Sequence, residues 1–461
     1  MSLTRTLAQF ARDCGGVLRG EDRPFTGVSI DTRTLRGGEL FVALRGPRFD
    51  GAQFLAAALE RGAAGVVFEC EQPLAVAQIV VSDTLQALQR AAQARRAALP
   101  IPVIGVAGSN GKTTTKEMTA AILGQRGECL ATRGNLNNHI GVPLTLLRLE
   151  PEHRGAVIEM GANRAGEVAE LVRIARPTVG LITNAGAEHL EGFGTLAGVA
   201  RAEGEVVAGL EPAATAVLNA DDPFLQLWGE MTAARRVTFG FSPAADFRAG
   251  EPQSSLTGAG FRTRFTLACE LGAAPIELHL GGRHNVLNAL AAAAAAAVAG
   301  ASLAQISAGL ASVRPVSGRL QPKHAAGGAW ILDDSYNANP SSVRSGIEVL
   351  ASLAQRRWLV LGDMAELGAS AEDSHVQIGE FARAHGIERL YATGPLAALA
   401  VERFGAGARW FPEAEVLAEA VRAALGEAGP GVCILVKGSR INRLERVVQA
   451  VVGGADEPEA H

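Results

Sequence analysis

Apolar and polar residues alternate along this chain in blocks that predict short buried strands, each followed by an amphipathic helix. The clearest block begins with the apolar run Val103–Ala107, passes through a glycine-containing turn at 108–111, and continues as a helix with Met118, Ile122 and Leu123 on its apolar face. A strand, a glycine turn and a helix in this order form the context of a phosphate-binding loop. We therefore expect the rest of the molecule to be organised around this block.

The same rhythm predicts an α/β protein of three domains. Residues 1–98 predict a small mixed α/β domain, which ends where prolines interrupt the pattern. Residues 99–314 repeat strand and helix, which predicts a central domain with a parallel sheet and crossover helices. Residues 315–453 repeat the rhythm as a doubly wound, Rossmann-like domain. The polar segment 454–461 is predicted to be a disordered tail.

Two stretches of the central domain depart from the parallel pattern. Residues 261–267 and 276–280 alternate apolar and polar positions, which predicts an antiparallel pair with one buried face. Residues 285–313 carry no charge and by length resemble a membrane span. They are mostly alanine and are interrupted by glycine and polar residues, so we predict two packed helices, 286–299 and 302–311, in a soluble protein.

Composition and charge narrow the classes of function. Of the 461 residues, 48% are hydrophobic and 20% are charged, and the formal net charge is -4. This composition is typical of a globular protein and offers no basic surface for nucleic acid. The five cysteines show no C-x-x-C spacing, and the N-terminus lacks the pattern of a signal peptide, which predicts a cytoplasmic protein with reduced thiols. We expect a monomer with no membrane partner.

The glycine turn has the chemistry of a phosphate loop. Glycines allow the backbone to approach an anion, and the N–H groups at the start of the helix point toward it. Lys112 would reach the β- and γ-phosphates, and the Thr113 hydroxyl would bind Mg²⁺. The spacing is G-x-x-G-K-T, because Val106 occupies the first glycine position of the commoner pattern; a chance glycine turn is the alternative. The predicted nucleotide-binding residues are Gly108, Ser109, Asn110, Gly111, Lys112, Thr113 and Thr114.

Polar residues also follow other predicted strands, and the carboxyl ends of strands are where open α/β sheets bind ligands. Glu159 ends the strand after the phosphate-loop block and is a candidate Mg²⁺ ligand, although it could be an edge residue that faces water. His189 follows the next strand and is compatible with either a structural or a functional role. Asp334, Asp363 and Lys437 follow three strands of the last domain, which predicts a polar surface facing the nucleotide.

Ten motifs occur along the chain in a characteristic order. They are SIDTRTLRGGELFVALRG (29–46), GSNGKTT (108–114), GNLNNHIGVPLTLL (134–147), EMGAN (159–163), HLEGFG (189–194), GRHN (282–285), GRL (318–320), DDSYNANP (333–340), GDMAELG (362–368) and VKGSR (436–440). Together they resemble the Mur ligase family, the ATP-dependent amide-forming enzymes of peptidoglycan synthesis. The resemblance covers nearly the whole chain.

The resemblance implies an ATP- and Mg²⁺-dependent ligase whose substrates are UDP-N-acetylmuramoyl-tripeptide and D-alanyl-D-alanine. The D-N-P-R motif of the diaminopimelate-adding members is absent. A peptide carboxylate would attack ATP to give an acyl phosphate, and an amine would then displace phosphate. By resemblance, Lys112 and Arg319 neutralise the γ-phosphate. Thr113 and Glu159 hold one Mg²⁺, and His189 helps to bind a second metal.

The resemblance also assigns contacts to the substrates. Asn285 and Asp334 resemble residues that contact the nucleoside of ATP. The predicted contacts to the UDP-sugar substrate are Asp31, Thr32, Arg33, Asn135, Asn137 and Asn138.

One position departs from the family pattern. Fourteen residues after the family histidine, many Mur ligases carry a carbamylated lysine that helps to place magnesium, and this chain has Glu203 there. Apolar residues at helical spacing surround Glu203, whereas Glu205 has Arg201 one turn earlier and is expected to form a solvated pair. We predict that Glu203 supplies the negative charge near the metal directly or through water, so that activity is independent of bicarbonate. The alternative is a glutamate that is only part of the helix.

Three other functions stay open from the residues alone. A switch or motor ATPase would also contain GSNGKTT, but would not need the first and last domains. A non-catalytic nucleotide-sugar-binding relative is a second alternative. A folylpolyglutamate-synthetase-like ligase is the third, and GNLNNHIGVP and DDSYNANP argue against it.

Overall fold

The computed structural model describes residues 5–46, 50–325, 328–353, 356–428 and 431–452. Its strands form three sheets that follow one another along the chain, with helices packed on their faces. The predicted three-domain α/β architecture is therefore confirmed. The predicted tail 454–461 lies outside the described residues.

The N-terminal domain is built on a five-stranded sheet. Its elements are α1 (Leu7–Cys14), β1 (Val17–Arg19), β2 (Val28–Ser29), β3 (Leu40–Val42), α2 (Leu55–Glu60), β4 (Gly65–Phe68), β5 (Gln78–Val80) and α3 (Thr84–Ala97). The strand order is β1-β5-β4-β3-β2, with β1 antiparallel at one edge and the other neighbours parallel. Helix α3 connects this domain to the next, since Gln89 donates to the Glu170 carboxylate at 2.8 Å and Arg96 donates to the Ala175 carbonyl at 3.1 Å.

The central domain contains a ten-stranded sheet. Its elements are β6 (Val103–Ala107), α4 (Lys112–Gly124), β7 (Cys129–Ala131), α5 (Gly141–Leu146), β8 (Gly155–Glu159), α6 (Glu167–Ala175), β9 (Val179–Ile182), α7 (Leu190–Phe193), α8 (Leu196–Ala208), β10 (Thr215–Asn219), α9 (Leu225–Met231), β11 (Arg235–Gly240), β12 (Phe247–Ala249), β13 (Gln253–Thr257), β14 (Gly260–Cys269), β15 (Gly272–Leu278), α10 (Arg283–Val298) and α11 (Leu303–Ser312). The order is β13-β14-β12-β11-β10-β9-β6-β8-β7, with β15 paired to β14.

The arrangement of this sheet brings three strand ends together. Strand β6 lies between β8 and β9, all three are parallel, and every residue in them is buried. Val106 is opposite Glu159, and Ala107 is opposite Ile182, so the phosphate loop, Glu159 and the segment after β9 leave the sheet at the same edge. The predicted antiparallel pair is also confirmed, because Phe265 of β14 lies opposite Ile276 of β15.

The uncharged alanine-rich segment forms the two predicted helices, α10 and α11. Alanines 289 and 291–296 are fully buried, and α11 packs on α4 so closely that a Cβ at Gly309 would lie 2.5 Å from the Ile122 Cα. Small side chains permit this close packing of helices around the phosphate-loop helix. Among the residues that the structure describes, no helix is both long and apolar enough to span a bilayer.

The C-terminal domain has a six-stranded sheet. Its elements are β16 (Gln321–His324), β17 (Trp330–Asp334), α12 (Pro340–Leu353), β18 (Arg356–Leu361), α13 (Ala371–Ala384), β19 (Arg389–Thr393), α14 (Ala397–Phe404), β20 (Ala408–Phe411), α15 (Ala414–Ala428), β21 (Val432–Lys437) and α16 (Glu445–Val452). The order is β16-β17-β21-β18-β19-β20, parallel except for β16. Asp334 and Lys437 are register partners, so both strand ends deliver charge to one edge.

Candidate active site

The carboxyl ends of the central and C-terminal sheets face one cavity of about 800 Å³. The central domain contributes the phosphate loop from Ser109 onward, the asparagine-rich segment 135–139 and the end of β8. The C-terminal domain contributes Lys437 and several residues of the segment 334–346. The polar surface predicted at the strand ends of the last domain is therefore found beside the phosphate loop for Asp334 and Lys437. Asp363 does not line the cavity and instead accepts a hydrogen bond from the Ala397 N–H at 2.7 Å.

The conformation of the phosphate loop requires its two glycines. Gly108 has φ +120° and Gly111 has φ +83°, which are left-handed values that side chains disfavour. A Cβ on Gly108 would overlap the Thr183 hydroxyl, and one on Gly111 would overlap the Asn288 amide. Thr183 in turn donates its hydroxyl to the carbonyl of Asn110 at 2.7 Å. The loop is thus held closely against the neighbouring strand end and helix α10.

Lys112 begins α4 as the cation of this loop. Its ammonium donates to the Ser109 carbonyl at 3.2 Å and lies 3.3 Å from a carboxylate oxygen of Glu188. Burial lowers the pKa of Lys112, but the attraction of Glu188, Glu203 and Glu159 outweighs this effect and raises it overall. The side chain is therefore a cation at the mouth of the loop, where a phosphate would approach.

Glu159 presents a carboxylate with free acceptor capacity to the cavity. The residue is only 3% exposed, and its Oε1 accepts a hydrogen bond from the Asn137 amide at 2.9 Å. Its Oε2 is buried without a hydrogen-bond partner, and the nearest cation, the Lys116 ammonium, is 3.8 Å away. A buried acceptor of this kind fits a metal ion. Thr113, the other predicted ligand, lines the same cavity.

A metal ion at this position would be bound partly by the protein and partly by phosphate oxygens. Among the described residues, no group of three or more His, Cys, Asp or Glu side chains could hold a metal ion. Mg²⁺ is commonly bound by one or two carboxylates together with water and phosphate oxygens, so one carboxylate and one hydroxyl are sufficient protein ligands.

His189 lies in the cavity at the start of α7 and contacts the C-terminal domain. Its φ of +48° is unusual for a residue with a side chain. The Nδ1 of His189 contacts the carboxylate of Glu366, whose own φ is +64°. The two strained residues therefore meet across the boundary between the domains.

Arg319 approaches the cavity from the C-terminal side. Its guanidinium carbon lies 4.3 Å from the centroid of the Tyr336 ring, and both side chains line the cavity. Asp334 accepts a hydrogen bond from the Lys437 ammonium at 2.6 Å and another from the Leu320 N–H at 3.1 Å. The Arg319 guanidinium therefore lines the same cavity as the phosphate loop. The Asp334 carboxylate also lines it and is already paired with Lys437.

Asn285 and His284 lie in the first turn of helix α10, at the same cavity. The Asn285 amide donates to the Gly281 carbonyl at 2.7 Å and accepts from Asn288 at 3.1 Å. Burial lowers the pKa of His284 to about 4. The Asp334 carboxylate raises this pKa, and the Lys437 cation lowers it further. The imidazole is therefore neutral at pH 7.

The C-terminal domain also bonds directly to the phosphate loop. The Asn110 side chain accepts a hydrogen bond from the Asn339 amide at 2.8 Å and donates one to the Ser341 hydroxyl at 3.0 Å. Asn339 precedes α12 and accepts from the Ser342 N–H at 2.9 Å, which caps that helix. The start of α12 is thus fastened to the loop that would hold the nucleotide.

Three family models match the chain one after another. They are the Mur ligase family catalytic domain over residues 24–104, the Mur ligase middle domain over 106–296 and the Mur ligase glutamate ligase domain over 318–440. The chain belongs to the Mur ligase family.

Individual relatives extend over nearly the whole length of this Mur ligase. The UDP-N-acetylmuramoyl-tripeptide–D-alanyl-D-alanine ligase of Escherichia coli (strain K12) is 44% identical over 449 residues, covering 97% of this chain and 98% of the relative. The crystal structure of MurF from Acinetobacter baumannii matches with a TM-score of 0.89 at 31% identity, covering 96% and 98%. MurF ligase from Thermotoga maritima in complex with ADP matches with a TM-score of 0.81 at 27% identity, covering 92% and 96%.

These relatives show that the Mur ligase described here is an enzyme, an ATP-dependent ligase of peptidoglycan precursor synthesis. The switch, motor and non-catalytic alternatives are thereby disfavoured.

The cavity brings together most, but not all, of the residues predicted from sequence. It is lined by Ser109, Asn110, Gly111, Lys112, Thr113, Thr114, Asn135, Asn137, Asn138, Glu159, His189, Asn285, Arg319 and Asp334. Gly108, Glu203, Asp31, Thr32 and Arg33 do not line it. In the N-terminal domain Arg33 pairs with Asp31 at 2.6 Å and lowers the pKa of that carboxyl to about 2. Their predicted substrate contacts stay predictions.

Glu203 and Glu205 have backbone partners that sequence reasoning missed. Glu203 is buried and accepts a hydrogen bond from the Gly108 N–H at 2.6 Å. The predicted solvated pair between Glu205 and Arg201 is wrong, because Glu205 accepts from the N–H groups of Gly166 at 2.7 Å and Ala169 at 3.0 Å. The first turn of α6 leaves such N–H groups without partners inside its own helix, and a carboxylate satisfies them.

Sequence reasoning also missed two charged residues beside the site. Glu188 is the carboxylate nearest to Lys112, and burial raises its pKa. Lys116 is 1% exposed and donates to the Thr132 carbonyl at 2.8 Å, close to Glu159. Both positions carried a signal, since Glu188 directly precedes the family histidine and Lys116 lies one helical turn after Lys112.

Ser341→Ala is expected to lower turnover about threefold to tenfold, because it removes the hydroxyl that accepts the Asn110 hydrogen bond across the domains. One neutral hydrogen bond contributes about 0.5–1.5 kcal/mol, and closure of the domains depends on such contacts. Steady-state turnover and X-ray scattering with an ATP analogue and the tripeptide substrate would measure the effect. Ser307→Ala, which loses a hydroxyl contact to Pro275 within the central domain, is the control. Wild-type turnover in Ser341→Ala would contradict the expectation.

Proposed function

We propose that this Mur ligase joins UDP-N-acetylmuramoyl-tripeptide to D-alanyl-D-alanine with ATP and Mg²⁺. The relative from Escherichia coli carries this substrate pair in its name, and the match is nearly end to end. The observation that carries the proposal is the shared cavity, in which the phosphate loop faces Arg319 and the strand ends of the C-terminal domain. Such a cavity has room for a nucleotide and for a second reactant beside its γ-phosphate.

The reaction begins by bringing together two anions, the peptide carboxylate and the γ-phosphate. A carboxylate oxygen bonds to the γ-phosphorus while the bond to ADP breaks, which gives an acyl phosphate and ADP. Cations must offset the repulsion between the reactants. Lys112 from the loop and Arg319 from the C-terminal domain would do so, and their position in the lining of the same cavity supports this role.

The second step forms the amide. The amino nitrogen of D-alanyl-D-alanine attacks the acyl carbon, a tetrahedral intermediate forms, and inorganic phosphate leaves as the amine loses a proton. Closure of the C-terminal domain on the phosphate loop excludes water, which would otherwise hydrolyse the acyl phosphate. The hydrogen bonds of Asn110 to Asn339 and Ser341 support this closure.

Thr113 and Glu159 would hold one Mg²⁺, and His189 would help to hold a second metal. When bound, Mg²⁺ would neutralise negative charge on the phosphates of ATP. The unpartnered Oε2 of Glu159 supports the first assignment. His189 contacts Glu366 through Nδ1, so Nε2 would be the ring nitrogen for the second metal, with Glu366 orienting the ring.

The remaining assignments extend this proposal. We assign the UDP-sugar to the domain 1–98 and the segment with Asn135, Asn137 and Asn138, ATP to the domain 99–314, and the ligase step to the domain 315–453. Asn285 and Asp334 would contact the nucleoside. A monomeric, cytoplasmic enzyme stays a prediction.

Phosphate release should require ATP, the UDP-linked tripeptide and D-alanyl-D-alanine together. The assay measures phosphate with each reactant omitted in turn, and mass spectrometry identifies the UDP-linked pentapeptide. Replacement of the dipeptide by L-alanyl-L-alanine is the matched control and should give no product. Rapid phosphate release with ATP alone would support a switch or motor function instead. Product formation from folate and glutamate would support the folylpolyglutamate alternative.

A further inference from the structure

A buried carboxylate outside the cavity is hydrogen-bonded to the phosphate loop. Glu203 on α8 is 2% exposed, and its Oε2 accepts from the N–H of Gly108 at 2.6 Å. Gly108 is the first residue of the loop, and its left-handed conformation leaves no room for a side chain beside Thr183. The start of the loop is therefore fixed from one direction by a steric contact and from another by the Glu203 carboxylate.

We propose that Glu203 is a positioning residue of the phosphate loop, acting through the N–H of Gly108 to hold the loop in its nucleotide-binding conformation. With Gly108 fixed, the N–H groups of the following residues and the Lys112 ammonium keep the geometry in which they meet a phosphate. The proposal rests on the proposed function only in so far as a nucleotide binds at this loop.

Burial makes this hydrogen bond important for the carboxylate as well. Glu203 belongs to a helix whose residues Val199, Val206 and Val207 are fully buried. A polar group buried among such residues without a hydrogen-bond partner is strongly unfavourable. Burial raises the pKa of Glu203 to about 7, against the attraction of Lys112 and the Gly108 hydrogen bond. A carboxyl oxygen accepts from an N–H in either protonation state, so the hydrogen bond does not require the negative charge.

The contact also differs from the magnesium role predicted from sequence. That role requires Glu203 to face a metal directly or through a water in the cavity. Its carboxylate instead faces the loop backbone, and the residue does not line the cavity. The two roles lead to different dependences on Mg²⁺.

Glu205 provides a matched control on the same helix. It also accepts hydrogen bonds from backbone N–H groups, but its partners Gly166 and Ala169 do not line the cavity. Glu205→Ala therefore removes a carboxylate–backbone contact from the same helix, as Glu203→Ala does, but one that does not involve the phosphate loop.

The affinity for ADP, measured by calorimetry with Mg²⁺ and again with EDTA, tests the proposal. Glu203→Ala should weaken ADP binding about tenfold or more under both conditions, the size expected when a hydrogen bond to an ionisable group is lost. Glu203→Gln should stay within about threefold of the wild type, because its amide oxygen can accept the Gly108 hydrogen bond. Glu205→Ala should bind ADP like the wild type, and thermal unfolding monitors the fold of each variant.

Three outcomes would overturn the proposal. ADP affinity that is unchanged in Glu203→Ala would show that the loop does not need the contact. A loss seen only with Mg²⁺ would show that Glu203 acts through the metal. Equal losses of ADP affinity in Glu203→Gln and Glu203→Ala would show that the loop needs the negative charge of Glu203 and not its hydrogen bond. If the alanine variant does not fold, Glu203→Asp, which is one methylene too short for the contact, should show the same loss. Direct ADP binding keeps these outcomes separate from failure of the ligase assay.

Discussion

Lys112→Ala is expected to lower ATP turnover about a hundredfold or more without unfolding the protein. The substitution removes the buried ammonium at the mouth of the phosphate loop, where it would neutralise charge that develops on the transferred phosphate. One charge-assisted contact of this kind contributes about 3 kcal/mol or more to transition-state stabilisation. Phosphate release under saturating substrates measures the loss, and circular dichroism with thermal unfolding reports the fold.

Arg126→Ala is the control for this variant. Arg126 follows α4 and donates to the Ala299 carbonyl, so the change removes a cation near the same helix but outside the cavity. Turnover of Arg126→Ala should match the wild type. If Lys112→Ala also retained near wild-type turnover, the phosphate-loop assignment would be refuted.

Glu159→Gln is expected to lower turnover on the order of a hundredfold and to raise the Mg²⁺ concentration for half-maximal activity. Glutamine can still accept the Asn137 hydrogen bond through its amide oxygen, but an uncharged NH2 group, which cannot bind a cation, replaces the carboxylate oxygen that has no hydrogen-bond partner. Loss of one charge-stabilising contact in a transition state typically has this size. Mn²⁺ affinity, measured by electron paramagnetic resonance with a non-hydrolysable ATP analogue, should fall in parallel.

Glu117→Gln is the matched control for Glu159→Gln. The Glu117 carboxylate lies 3.0 Å from the same Lys116 ammonium, is 43% exposed and does not line the cavity. Its substitution should leave Mn²⁺ affinity and turnover unchanged. Unchanged Mn²⁺ affinity in Glu159→Gln would instead show that this carboxylate is structural.

The parts of the site that were predictable from sequence are local in origin. Gly108 and Gly111 precede a helix after a buried strand, and this order predicts the phosphate loop. Glu159 was predictable because strand β8 ends there and parallel strand ends share an edge of the sheet. The antiparallel pair β14 and β15 was predictable from alternation, since one of its faces is buried.

The elements that sequence reasoning missed have weak local signals. Strands β16 and β20 lie at the two edges of the C-terminal sheet, and most of their residues are exposed or half-buried, so neither shows a clear apolar run. These edge strands are defined by pairing with one neighbour, β17 for β16 and β19 for β20, rather than by a buried face of their own. Helix propensity and alternation contain no information about that neighbour.

Local patterns in the sequence predict the three-domain α/β plan, the phosphate loop and the polar residues at the strand ends, because each depends on residues close together in the chain. The partners that those residues contact are fixed by the packing of the domains. The bond of Glu203 to Gly108, the capping of α6 by Glu205, and the bonds from Asn110 to the start of α12 all join distant segments. Each arises because buried polar groups bond to whatever donor or acceptor the packed fold brings near, and that proximity is a property of the fold rather than of any local pattern.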